Sequence, residues 1–280
     1  MSRNLHKYYY KDYFGEMPEE IFVSDNRHGK RKENKSLDWT RIKSEENASI
    51  LKKRNTRLTE GGLLYKIDKP VDTDDTFAFE LEIIYPGLVT GIGINHEATI
   101  EGEFKLGVHF DWTYGMPVVY GSSVKGVLRA WFKEFYKGDR DLYDYEMEIF
   151  EGQVRDNEAE NKKYGPSWKE KVKDTKNRLY SPKSIYDRDI FFDAVITAPD
   201  KKGRILCSDS ITPHGDNPLK NPTPITFVKV APGCKLEFRF KLVGDIEERK
   251  LKFDLFKEIL TTIGVGAKTN VGYGQLSVPK

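Results

Sequence analysis

Apolar side chains recur along this chain with the period of a strand in some segments and of a helix in others. Residues 77–83 alternate with a period of two, which predicts a strand, and residues 104–110 predict a second. From 122 to 137 the apolar residues return every three or four positions, which predicts an amphipathic helix. The apolar stripe of this helix consists of Val124, Val127, Leu128, Trp131, Phe132 and Phe135.

The second half of the chain continues both periods. Strands are predicted at 190–197, 204–207, 225–231, 235–243 and 273–278, and a helix at 247–263. The strongest elements follow the order strand, helix, strand, strand, helix, strand. This order predicts an α+β fold of elaborated ferredoxin-like or RNA-recognition-motif (RRM-like) plan, in which an antiparallel sheet carries two main helices plus insertions. We expect a single domain over residues 1–280, although two ferredoxin-like halves remain an alternative.

Two polar stretches interrupt the pattern, at residues 25–57 and 137–189. The first contains basic runs such as Lys52-Lys53-Arg54, and the second alternates Lys, Glu and Asp with Gly and Asn. Few large apolar residues are present to hold either stretch in a core. We therefore predict excursions from the packed body, either long loops or segments ordered only by a partner.

Composition narrows the classes of function. Lysine and arginine number 46 against 44 aspartate and glutamate, a net charge of +2, so any site for an anion must be local. The longest uncharged apolar run, residues 83–95, is shorter than the ~20 residues of a membrane helix, and no secretory signal follows Met1. We expect a cytoplasmic protein.

The only cysteines, Cys207 and Cys234, lack zinc-ligand spacing, so we predict no disulfide framework, metal site or cofactor.

Residues 264–274 read Gly-Val-Gly-Ala-Lys-Thr-Asn-Val-Gly-Tyr-Gly. Glycines let a backbone approach a ligand closely, and their amides can converge on an anion. A Walker A loop requires glycine directly before the lysine, and Ala267 precedes Lys268 here. A dinucleotide-binding loop follows a strand and opens a helix, whereas this loop is predicted to follow a helix and open a strand. The alternative is a helix C-cap with Gly264 in the left-handed region. The candidate contact residues are Gly264, Gly266, Lys268, Thr269, Asn270, Gly272 and Tyr273.

A second candidate stretch, residues 114–129, leads into the first predicted helix. Gly121-Ser122-Ser123 would place unpaired amides at the positive end of the helix, where a serine hydroxyl can also act as a cap. Lys125 and Arg129 lie one turn apart on the polar face, which suits a phosphate group. The candidate ligands are Ser122, Ser123, Lys125 and Arg129. An ordinary capped surface helix explains the same pattern equally well.

These two stretches, in this order and at this separation, resemble the paired signatures of the RAMP superfamily of CRISPR-associated RNA-binding proteins. Cys-Ser-Asp-Ser-Ile-Thr-Pro-His at 207–214 and Asn-Pro-Thr-Pro-Ile-Thr-Phe at 221–227 resemble, within it, the family of the sixth Cmr subunit of type III-B effector complexes. The aromatic N-terminus, with Tyr8, Tyr9, Tyr10, Tyr13 and Phe14, also resembles that family. These aromatic residues are expected either to anchor a partner or to lie in the core.

The resemblance implies a Cas7-like fold in a ribonucleoprotein that binds CRISPR guide RNA and complementary target RNA. The subunit would cap the backbone near the 3′ end of the guide, next to the Cmr backbone subunit and the first Cmr subunit, in antiviral defence. Lys268 would then pair with phosphate, and Thr269 and Asn270 would bond phosphate or ribose. Such contacts hold RNA without reading its sequence.

Members of the family are regarded as non-catalytic, so we expect no active site. Histidines occur at positions 6, 28, 96, 109 and 214, and a histidine can act as a general acid or base near neutral pH. The alternative is therefore a RAMP endoribonuclease that uses His214, His28 or an aspartate near residue 25. A third hypothesis is a protein adaptor whose glycine loop serves only packing.

Overall fold

A computed structural model of the chain describes residues 4–13, 39–60, 76–91, 103–166, 168–172, 174–212 and 224–279. The helices are α1 (Leu5–Lys7, continued by a π-helical turn, Tyr8–Asp12), α2 (Trp39–Thr59), α3 (Gly121–Phe135), α4 (Leu142–Glu146, continued by a π-helical turn, Met147–Glu151), α5 (Asn157–Tyr164), α6 (Trp168–Lys171) and α7 (Ile246–Ile263). The strands are β1 (Thr76–Ile83), β2 (Lys105–Leu106), β3 (Val118–Val119), β4 (Gln153–Arg155), β5 (Tyr180–Pro182), β6 (Ile190–Phe191), β7 (Ala194–Ala198), β8 (Leu206–Ile211), β9 (Ile225–Val230), β10 (Lys235–Lys241) and β11 (Leu276–Ser277).

The main sheet is antiparallel, and helices pack against it. Its strands lie in the order β11, β1, β10, β7, β3, and β6 pairs with β10. The register pairs Phe79 with Phe238 and Leu81 with Leu236, so the buried alternation of β1 and β10 falls on one face. Phe253 and Phe256 of α7 meet this face at ring distances of 5.2 Å from Phe79 and 5.3 Å from Phe240 respectively. Helix α3 packs against α7, which completes the layer.

The strongly periodic segments confirm the predictions. The strands predicted at 77–83, 225–231 and 235–243 correspond to β1, β9 and β10, and the helices at 122–137 and 247–263 to α3 and α7. Other boundaries were wrong. The strand at 190–197 divides into β6 and β7, because Asp193 between them turns to bond the start of α3. The strand at 204–207 reaches Ile211, whereas those at 104–110 and 273–278 shrink to β2 and β11.

The N-terminal aromatic residues lie in the core. Tyr8, Tyr9 and Tyr13 are buried. The Tyr9 hydroxyl donates to the Phe104 carbonyl oxygen at 2.8 Å, and the Phe104 N–H donates to the Tyr13 oxygen at 3.1 Å. Core burial, one of the two expectations for this segment, is therefore confirmed for these three tyrosines, and Phe14 lies outside the described residues.

The prediction that residues 25–57 form a loop or a partner-ordered segment was wrong for the part within α2, which begins at Trp39. Leu51 and Leu58 of α2 are buried, and the Arg57 guanidinium lies 5.4 Å from the centre of the Tyr8 ring. Two apolar residues, a cation–π contact and hydrogen bonds of Arg54 and Asn55 with Tyr13 therefore dock this polar helix. Residues 25–38 lie outside the described part of the chain.

The same prediction was wrong for residues 137–189, which fold into α4 to α6, β4 and β5. Tyr145, Ile149 and Phe150 bury a small apolar cluster there. The charges pair with one another within the segment: Arg155 Nε lies 3.1 Å from Glu160 Oε2, and Glu160 is fully buried. The polar pattern therefore marked internal ion pairs and not solvated loops.

A buried ion pair fixes the end of this segment to α7. Lys252 Nζ lies 2.8 Å from Asp189 Oδ2, and both side chains are at most 2% exposed. Lys252 also donates to the Val243 carbonyl oxygen at 2.8 Å, and the Val243 N–H donates to Asp189 Oδ1 at 2.7 Å. Nothing in the apolar pattern of α7 predicted a buried lysine.

In the described part of the chain, no helix is long and apolar enough to cross a membrane.

Candidate nucleic-acid interface

The glycine-rich loop begins where α7 ends. Gly264 takes a positive φ of 79°, and its N–H donates to the Leu260 carbonyl oxygen at 3.0 Å, so it does cap the helix. The Val265 N–H donates to the Gly274 carbonyl oxygen at 2.9 Å and closes the base of the loop. The Ala267 N–H donates to Val89 at 2.7 Å, which docks the loop onto the chain that follows β1.

Three of the glycines serve this packing. A Cβ atom on Gly264, Gly266 or Gly274 would lie 2.4, 2.3 or 1.8 Å from a backbone carbonyl oxygen, closer than any side chain tolerates. The close approach that these residues permit is therefore to the protein's own main chain. Gly272 differs, because at φ 94° its nearest neighbour, Pro86 Cδ, would be 3.6 Å from an added Cβ.

The tip of the loop, defined here as Lys268, Thr269 and Asn270, offers the chemistry expected for an anion. Lys268 is the one described non-glycine residue with positive φ, 59°, and its side chain is exposed, as is that of Asn270. Within the described ranges, neither the Lys268 ammonium nor the N–H groups of these three residues meet an acceptor. A cation and several free donors therefore lie in one exposed turn, which suits a phosphate group.

Tyr273 plays a different part from the predicted contact. Its ring is buried against Val89 and Phe227, and its hydroxyl donates to Asp209 Oδ2 at 2.8 Å. Asp209 also pairs with Lys229. Burial, together with the bond to the Asp209 carboxylate, raises the pKa of Tyr273 to about 12. The side chain therefore supports the loop from beneath as a neutral phenol, and its ring is not presented to a ligand.

The start of α3 offers fewer free amides than the sequence predicted. Tyr120 is the N-cap residue and makes no side-chain capping bond, whereas the Gly121 N–H donates to Asp193 Oδ1 at 2.6 Å. The prediction of a serine cap was therefore wrong, because Ser122 and Ser123 lie inside the helix, exposed, and a carboxylate from 72 positions away takes the cap position. That carboxylate lies where a phosphate would have to bind.

The polar face of α3 is largely neutralised. Arg129 pairs with Glu151 and, at 3.5 Å, with Glu146, while Lys133 lies 3.3 Å from the other Glu146 oxygen. Lys125 is half-buried on the same face.

A cavity of about 370 Å³ opens beside Asp193. Its lining residues are Asp111, Tyr114, Phe191, Phe192, Asp193, Val195, Glu237 and Arg239. Three carboxylates against one guanidinium disfavour an anion there, so phosphate chemistry concentrates at the loop tip.

Residues 87–91 link the two candidate stretches. Val89 accepts the loop's Ala267 N–H, and the hydroxyl oxygen of the next residue, Thr90, accepts the His109 N–H at 2.5 Å. The His109 ring lies 5.1 Å from the ring of Tyr120, the N-cap residue of α3. Residues 87–91 therefore contact the glycine-rich loop directly and reach the start of α3 through His109.

The described histidines show no catalytic arrangement. Burial lowers the pKa of His109, and the same cause lowers the pKa of His6, whose ring packs 4.4 Å from Trp112. In the regions that the structure describes, no group of three or more potential ligands could hold a metal ion. His28, His96 and His214 lie outside those regions, as does residue 25.

Comparison with known proteins identifies the family. The sequence model of the RAMP superfamily matches residues 80–277, well over half of the chain. This chain therefore belongs to the RAMP superfamily.

Among its relatives, the CRISPR system Cmr subunit Cmr6 of Pyrococcus furiosus is 26% identical over 226 residues, which cover 68% of this chain and 64% of that protein. The match thus spans less than two thirds of the relative's length. Among solved structures, the chain is similar to one in the cryo-EM structure of the type III-B Cmr-beta bound to cognate target RNA, with a TM-score of 0.46, 18% identity and coverage of 87% of this chain and 66% of that one. The crystal structure of Cmr6 from Pyrococcus furiosus gives a TM-score of 0.36 and 21% identity, and covers 75% of this chain and 100% of that one.

Proposed function

We propose that this chain is a non-catalytic guide-RNA-binding subunit of a type III-B CRISPR (Cmr) RNA-targeting effector complex. Membership of the RAMP superfamily and the 26% identity to Cmr6 support this proposal. The proposed fold is a single ferredoxin-like, Cas7-like domain. The spatial order β11, β1, β10, β7, with α3 and α7 in one layer, supports it, because a ferredoxin-like sheet places its fourth, first, third and second strands in that order.

The observation that carries the proposed RNA contact is the loop tip. Lys268 is held in a left-handed turn, with its carbonyl oxygen accepting N–H groups from Val271 at 3.1 Å and Tyr273 at 3.3 Å. Its ammonium then pairs with a guide phosphate while the free N–H groups of the tip bond phosphate or ribose oxygens. These contacts touch no base edge, as a subunit that accepts guides of any sequence requires.

The proposed place of the chain is at the end of the complex that holds the 3′ end of the guide. Its neighbours there would be the Cmr backbone subunit and the first Cmr subunit, and it would support binding of complementary target RNA. Isolated, the chain would bind RNA weakly, because its net charge is only +2 and its cationic contact is local.

Crosslinking tests the contact. Guide RNA carrying 4-thiouridine is assembled into the reconstituted complex with wild type, Lys268→Glu or Lys268→Arg. We expect Lys268→Glu to lose most crosslinks to this chain and to reduce the salt slope of RNA affinity by about 1, while Lys268→Arg retains both. The matched control is Lys250→Glu, an exposed lysine near the opposite end of α7. Unchanged crosslinking by Lys268→Glu would refute the proposed contact.

Incubation of the purified chain with repeat-containing RNA tests the proposed lack of catalysis. We expect intact RNA, with or without divalent metal ions. Specific products that disappear in His214→Ala would instead identify a RAMP endoribonuclease.

A further inference from the structure

Tyr85 stands beside the loop with its side chain in solvent. It is 84% exposed, more than any other large hydrophobic residue in the described ranges. The residue belongs to the turn that follows β1, in which the Gly87 N–H donates to the Ile84 carbonyl oxygen at 2.9 Å. An aromatic ring held in solvent on a hydrogen-bonded turn leaves both of its faces open to a ligand.

The turn is fixed directly to the glycine-rich loop. The Ile84 N–H donates to the Gln275 carbonyl oxygen at 3.1 Å, and the Gly274 N–H donates to that of Gly87 at 2.8 Å. Pro86, next to Tyr85, is the nearest neighbour of Gly272. The turn that carries the ring and the glycine-rich loop therefore belong to one hydrogen-bonded unit, which holds the Tyr85 backbone next to the loop.

We propose that Tyr85 is a stacking platform for a base of the RNA strand whose phosphate Lys268 binds. This inference rests on the proposed function and adds a base contact that the loop tip lacks. Stacking on an aromatic ring tolerates every base, because each base has a π-face. It therefore strengthens binding without restricting the guide sequence.

The charge of the surroundings favours RNA over a protein as the occupant. Lys268 and the unpaired N–H groups of the loop tip attract a polyanion, and they would need matched acceptors in a protein interface. Exposed Val271 adds a second apolar contact in the same loop. A flexible single strand can offer both kinds of group within one nucleotide, a charged phosphate and an apolar base face.

Fluorescence of 2-aminopurine tests the proposal. The probe is placed at successive positions of the guide RNA in the reconstituted complex. One position should be quenched with wild type and Tyr85→Phe but bright with Tyr85→Ala. Tyr85→Ala should also weaken guide binding by about fivefold to one-hundredfold with the salt slope unchanged. The matched control is Tyr186→Ala, because Tyr186 is 75% exposed and contacts Lys241, which pairs with the opposite end of β1.

The outcomes separate this inference from the proposed function. If Tyr85→Ala leaves every probe position as in wild type while Lys268→Glu loses crosslinks, the stacking proposal is wrong and the phosphate contact stands. If neither variant changes RNA binding, the proposed function fails too. If Tyr85→Ala instead releases a protein subunit and retains the guide, the ring contacts protein and the inference is overturned.

Discussion

Alanine in place of each of two glycines tests which glycines of the loop serve packing. Gly274 and Gly272 both have positive φ, 70° and 94°, so either substitution carries the left-handed penalty of ~1–2 kcal/mol. At Gly274 the new Cβ would also lie 1.8 Å from the Val265 carbonyl oxygen. To relieve that clash, the loop has to break two backbone hydrogen bonds, from the Val265 N–H to Gly274 and from the Gly274 N–H to Gly87. Each bond is worth ~1 kcal/mol. We expect losses of about 1–2 kcal/mol for Gly272→Ala and about 3–4 kcal/mol for Gly274→Ala.

Urea unfolding of the two variants measures this difference as a shift in midpoint at constant m-value. Gly272→Ala, which stays folded, should keep its RNA crosslinks, because the tip donors and Lys268 are untouched. Equal stability losses for the two variants would refute the reasoning. That result would mean that the loop base is able to shift away from the added methyl group and that its backbone bonds are not what orders the tip.

Further predictions concern the polar segment. Lys252→Met or Asp189→Leu alone should cost ~3–5 kcal/mol, because each removes the buried partner of a buried charge, and the double variant should cost less than their sum in urea unfolding. A hydrogen bond from Arg178 lowers the pKa of Asp141 from 3.8 to about 2. This pair therefore stabilises the fold above about pH 4 and loses its effect as the pH falls towards 2. Melting temperatures should drop more steeply across that interval in wild type than in Asp141→Asn.

The elements predicted well from sequence are those in which burial alone decides structure. In α3, the apolar positions Val124, Leu128 and Phe132 are all buried, and in β10, Leu236 and Phe238 are buried. A period of 3.6 or 2 is visible without knowledge of any other part of the chain. The order of these elements then indicated the arrangement of sheet and helices, and the two signature stretches indicated the family.

The features that were missed depend on partners distant in sequence. Buried Glu160 accepts the N–H of Leu179, 19 positions away, at 2.9 Å, and buried Asp189 pairs with Lys252, 63 positions away. Composition alone presents such residues as solvated. The cap of α3 by Asp193 is invisible for the same reason. In the candidate site, sequence could not separate packing glycines from possible ligand contacts, because only tertiary structure places Val89 against the loop.

The docking of the glycine-rich loop onto residues 87–89 has a thermodynamic consequence for any strand that meets it. The bonds from Ala267 to Val89 and from Gly274 to Gly87 order the tip before contact occurs. Little conformational entropy is then left to lose on association, so a modest number of polar contacts yields a larger share of net affinity. A preorganised turn of this kind suits a chain with nearly balanced charge, which gains little from long-range attraction.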